Sequence, residues 1–142
     1  MRAAYRILAG LIAIGVVVQA SLIAFALFDI EHKTDDGVFY SKDSNNLGVG
    51  LHSLLGGMVI PVLALALLIV SFFARIPGGV KWAAITFGVL LLQVVLGYSG
   101  SALPLIGVLH GLNAFALAGV ASVAMRKARQ AEEAVPAEPA AA

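Results

Sequence analysis

Four stretches of this chain carry no Asp, Glu, Lys or Arg: residues 7–28, 49–73, 82–103 and 105–125. A bilayer core of about 30 Å is crossed by about 20 apolar residues of helix, so each stretch is long enough to span it. Inside lipid the backbone must satisfy its own polar groups, which restricts such segments to helices. The linkers between the last three stretches are short, which favours antiparallel neighbours. The expected fold is therefore all-α, an integral membrane four-helix up-down-up-down bundle over residues 1–129. Residues 130–142, rich in Ala, Glu and Pro, are expected to form a disordered cytoplasmic tail.

Composition narrows the function. Of 142 residues, 61% are hydrophobic and 12% charged, against about 45–50% and about 25% in soluble domains. A net charge of +1 gives no electrostatic case for nucleic acid. Without cysteine there is no thiolate nucleophile, disulfide or iron–sulfur ligand set. Arg2 and Arg6 before an apolar run, with Val18-Gln19-Ala20 ahead of Ser21, also fit a secretory signal. The run continues unbroken to Phe28, which favours a retained span.

Basic residues give an orientation. Arg2, Arg6, Arg75, Lys81, Arg126, Lys127 and Arg129 fall on one side, and only Lys33 and Lys42 on the other. Seven against two places both termini in the cytoplasm of a bacterial inner membrane. The acidic first loop then lies outside. Its Asp35-Asp36-Gly37 and Asp43-Ser44-Asn45-Asn46 lack the EF-hand spacing and read as solvated turns.

Ionisable groups within membrane spans are rare and mark function. The second and fourth spans each hold one, His52 and His110, while His32 lies in the outer loop. At 1.5 Å per residue the two lie roughly 6 and 9 Å below their outer helix ends, nearly level. Helices 2 and 4 of such a bundle sit diagonally across the core, so the two imidazoles can face each other as axial ligands of a haem iron. Gly48 and Gly56 flank His52 at i−4 and i+4, and Gly107 and Ala114 flank His110 at i−3 and i+4. These share a face with their histidine and offer room for a flat macrocycle. Gly97 and Gly100 add small surface on the third helix. The competing reading of such spacing is close helix packing in lipid. The spans hold no carboxylate, which disfavours zinc or a dinuclear metal.

Gln19, Gln93 and Asn113 form a polar layer near the histidines. Their amides either fix helix register through interhelical hydrogen bonds or orient a ligand histidine. Pro61 is expected to kink the second helix. Tyr40 and Tyr98 read as interface anchors. Tyr98, Lys33 or Lys42 could instead meet haem propionates.

Leu51-His52-Ser53-Leu54-Leu55-Gly56, Ala74-Arg75-Ile76-Pro77-Gly78, Leu91-Leu92-Gln93-Val94-Val95-Leu96-Gly97 and Leu109-His110-Gly111-Leu112-Asn113 together resemble one four-helix half of a haem A synthase. The likeness covers Leu51 to Met125. That family has two such halves, each with a haem-ligating histidine near the outer ends of its second and fourth helices. The resemblance implies that His52 and His110 ligate haem. It also implies a glutamate of the first outer loop near the reacting haem, a place comparable to that of Glu31, with Asp29, Asp35 and Asp36 equally near. The chain departs from the pattern by having one half and no outer-loop cysteine pair. It also looks like small four-helix membrane proteins of actinobacteria, for which no activity is implied.

Three functions follow. The first is a membrane protein binding haem b between His52 and His110, with Gln93 beside it, that transfers single electrons to a membrane oxidoreductase partner. The second is a half-size haem A synthase-like enzyme, active as a homodimer, with Glu31 as catalytic candidate. The third is a cofactor-free structural or accessory subunit whose histidines hydrogen-bond to each other, to Gln93 or to Asn113.

Overall fold

The computed structural model describes residues 1–41, 44–100 and 102–134, and its described residues are helical with no strand. Lys42, Asp43, Ser101 and residues 135–142 lie outside them, so the Lys42 contact and most of the proposed tail fall there. Four helices are long and apolar enough to cross a membrane: α1 (Arg2–Asp35), α2 (Leu47–Ala74), α3 (Gly79–Gly100) and α4 (Pro104–Glu133). Successive helices pack as neighbours, and α4 packs against α1.

Local chemistry sets the helix ends. Asn46 caps α2, its side-chain oxygen accepting the Val49 N–H at 3.0 Å, as an N-cap should. Its amide donates to Asp29 at 2.9 Å, which ties the start of α2 to α1. Pro104 opens α4, where its missing N–H costs nothing. Between α2 and α3, Arg75 (φ 51°) and Gly78 (φ 73°) take left-handed backbone to turn the chain.

Two helices outrun their apolar stretches. α1 continues seven residues past Phe28, supported by Lys33 donating to Asp29 at 2.8 Å one turn back and by the Thr34 hydroxyl on the Ile30 carbonyl. Glu31 thus belongs to the last turns of α1 rather than to a loop. α4 runs to Glu133, four residues beyond the expected boundary at 129. Arg6 binds Glu132 at 2.8 Å and Arg2 donates to the Ala131 carbonyl at 3.1 Å, so α1 holds this extension.

α2 is not uniform. A π-helical turn, Leu55–Val59, interrupts it between Leu54 and Ile60. Pro61 follows at the start of the resumed α-helix. The expected disturbance at Pro61 is therefore a widened turn just before it, a feature frequent at functional sites.

Packing is uneven along the molecule. Tyr5, Ala9 and Ile12 of α1, Ala64 and Leu67 of α2, Ala83 and Leu90 of α3, and Leu117, Ala121 and Ala124 of α4 form a dense core. Fully buried alanines on all four helices let the backbones approach closely, the packing favoured in lipid. These residues lie toward the end that carries both termini, with Leu90 and Leu117 near the middle of α3 and α4. The opposite end is hollow. Large apolar side chains such as Ile14, Phe72 and Phe115 face outward, with 62, 64 and 78% of their surface exposed.

Candidate functional site

A cavity of about 430 Å³ opens at the hollow end, and all four helices line it. His52 and His110 both face it, with ring centroids 6.2 Å apart and planes inclined at 62°. The level placement expected from the sequence brings the two rings within reach of one another.

Each imidazole is held in the same way. His52 Nδ1 lies 3.1 Å from the backbone carbonyl of Gln19 on α1. His110 Nδ1 lies 3.0 Å from the backbone carbonyl of Gln93 on α3. A carbonyl only accepts, so in both rings Nδ1 carries the proton and donates. Nε2 is then the lone-pair nitrogen in both. A ring nitrogen fixed by a carbonyl on its far side is the usual support for a metal-binding imidazole. The sequence shows no internal repeat, yet the α1–α2 and α3–α4 pairs each present a histidine braced on a glutamine backbone.

The side chains of the two glutamines differ. The Gln19 amide donates to the His52 carbonyl at 3.1 Å. Its Oε1 is buried and, among the described residues, is the only buried side-chain polar atom without a partner. The Gln93 amide nitrogen lies 3.2 Å from His110 Nε2. The Asn113 amide donates to the Val89 carbonyl at 3.0 Å and to Gln93 Oε1 at 2.8 Å. The expected polar layer is thus a network that both joins helices and orients histidines.

Gly56, Gly107, Ala114 and Gln93 line the cavity. Gly48 does not. A Cβ there would stand 2.6 Å from the Leu22 carbonyl and 2.8 Å from Ala26 Cβ, so Gly48 serves the contact between α2 and α1. Gly56 is needed for Gln19, whose amide a Cβ would strike. Gly97 fits the closest of all against a ligand candidate: its Cβ would meet His110 Cε1 at 3.0 Å. Gly100 lies against the backbone of Gly107, a close approach of α3 and α4.

Other candidates lie elsewhere. Glu31 is exposed and does not line the cavity, and no carboxylate does among the described residues. His32 is exposed, 3.8 Å from Asp36. Lys33 is engaged outside the apolar stretch. Hydrogen bonds to Asp29 and then Tyr40 hold its ammonium above the ordinary lysine range. Tyr98 lines the cavity mouth with most of its surface exposed. No group of three or more His, Cys, Asp or Glu is placed to hold a metal ion among the described residues. Sequence reading missed the two glutamine backbone carbonyls, because every residue has one and nothing in its side chain advertises it.

Residues 37–100 match a family described as of unknown function, DUF6220. The matched stretch contains His52, Gln93 and Gly97 and ends before His110. No curated protein and no solved structure matches the chain.

Proposed function

We propose that this chain is a multi-pass membrane protein, a four-helix up-down-up-down bundle that binds haem b between His52 and His110. One observation carries the reading: two imidazoles on α2 and α4, both braced through Nδ1 on backbone carbonyls, share one cavity with centroids 6.2 Å apart. Two imidazole donors thus share one cavity, and a mostly apolar cavity of about 430 Å³ is of the class of pocket that holds cofactors.

The protein's part is positional. Gln19 and Gln93 fix both ring tautomers. Gly97 lets the His110 ring lie against α3. Gln93 occupies His110 Nε2 with an amide proton, and it must withdraw before that nitrogen can ligate. The core of α1–α4 below the cavity holds the ligands on rigid helices. Held by His52 and His110, a haem would supply one-electron transfer.

Seven basic residues at the end with both termini support a cytoplasmic placement of that end in a bacterial inner membrane. The cavity then lies near the outer face. The resemblance to half of a haem A synthase supports haem as the ligand. Glu31 stands away from the cavity, so electron transfer to a membrane partner is favoured over catalysis by a homodimer. A pyridine haemochromogen assay on protein purified from haem-replete cells tests the reading. One haem b per chain is expected. Colourless protein would favour the accessory subunit, in which the same hydrogen bonds serve packing alone.

A further inference from the structure

A second groove, of about 380 Å³, lies between α1 and α4 at the end that carries both termini. Arg6 and Arg129 line it beside an apolar wall of Leu11 and Ile14. Those two side chains are 45 and 62% exposed. Gly10 keeps the floor low, since a Cβ there would come 3.3 Å from Met125 Sδ. Glu132 binds Arg6 at 2.8 Å and fixes its guanidinium without lining the groove itself. Arg129 is exposed, and no residue among the described ones bonds to its side chain.

We propose that this groove binds a phospholipid with an anionic headgroup. The reading rests on the chain spanning a membrane and is independent of haem. The Arg129 guanidinium, with the Arg6 N–H groups that Glu132 does not take, offers planar donors to phosphate oxygens. The wall beneath them is apolar and faces outward, as an acyl chain requires. Basic pockets between helices at the cytoplasmic side recognise anionic headgroups in this way. Charge complementarity above and apolar surface below select a lipid over either a free anion or a neutral lipid.

Native mass spectrometry of the full chain with added dioleoyl phosphatidylglycerol or dioleoyl phosphatidylcholine tests this. Wild type should retain phosphatidylglycerol in preference to phosphatidylcholine. Arg129→Gln, which breaks no ion pair, should lower that preference roughly fivefold, the effect of one basic group near an anionic surface. Arg6→Gln with Arg129→Gln should abolish it. Lys81→Gln with Arg126→Gln removes the same charge from the same end outside the groove and should leave the preference intact. Equal loss in both double variants, or no preference in wild type, would overturn the proposal. Displacement of phosphatidylglycerol by millimolar inorganic phosphate would overturn it too, in favour of a simple anion site.

Discussion

The Asn113 side-chain amide donates to Gln93 Oε1 at 2.8 Å, and that bond decides which end of Gln93 faces His110. The assignment starts from Val89, whose carbonyl accepts from the same Asn113 nitrogen at 3.0 Å. The atom facing Val89 must be the NH₂ group, so its second proton goes to Gln93 Oε1. The Gln93 NH₂ then faces His110 Nε2, which accepts. The ring proton is left on Nδ1, where the Gln93 carbonyl requires it. Two independent routes give one tautomer.

Asn113→Leu should therefore release Gln93 and with it His110 Nε2. Apo-protein carrying this change should take up added haem faster than wild type in stopped-flow absorbance. It should also lose stability, by about 0.6–1.7 kcal/mol, the range for interhelical hydrogen bonds in membranes. Slower uptake would show that the network prepares the site rather than latching it.

Gly97→Ala should impair ligation. Its Cβ would stand 3.0 Å from His110 Cε1 and 3.2 Å from Nδ1, displacing the ring from its carbonyl brace. Gly88→Ala on the same helix meets nothing within 4 Å and is the matched control. Haem content measured per chain should fall in the first variant and stay at the wild-type value in the second.

Gly48→Ala should destabilise the protein at the contact of α1 with α2 that also braces His52. A Cβ 2.6 Å from the Leu22 carbonyl forces α1 and α2 apart, and overpacking of this kind costs about 1–3 kcal/mol. Denaturant unfolding in detergent should show the loss, and haem content per chain should fall with it, because the His52 brace on Gln19 crosses the same contact.

Gln19→Leu should be mild at the site. The His52 ring rests on the Gln19 backbone carbonyl, which the substitution keeps. The side chain loses one donated bond to the His52 carbonyl, and its other polar atom has no partner to lose. A net loss of about 0.5–1.5 kcal/mol is expected. The absorption spectrum should keep the wild-type band positions.

Much of this arrangement is legible in the sequence, for identifiable reasons. Charge-free runs mark the helices because lipid leaves no alternative, and 1.5 Å per residue places His52 and His110 level. Pro104 marks a helix start through its own chemistry, whereas Asn46, which reads as part of a solvated turn, caps α2. Other features depend on neighbours that sequence spacing does not order. Gly48 looks like Gly56 by spacing, yet it meets Leu22 rather than the cavity. The π turn at Leu55–Val59 shifts hydrogen bonds by one residue, and only Gly56-Gly57 and Pro61 stand near it as signals. The extension of α4 to Glu133 depends on Arg2 and Arg6, more than a hundred residues away in the chain. The braces of both histidines are main-chain carbonyls with a spare lone pair, a property every helical residue shares.

The dithionite-reduced minus oxidised absorption spectrum of detergent-purified protein, taken beside His52→Ala and His110→Ala, tests the bis-histidine haem site most directly. Sharp low-spin haem bands in wild type, lost from both variants, are the predicted result. Bands that persist at full intensity in either variant, or a colourless wild type from haem-replete cells, would contradict it.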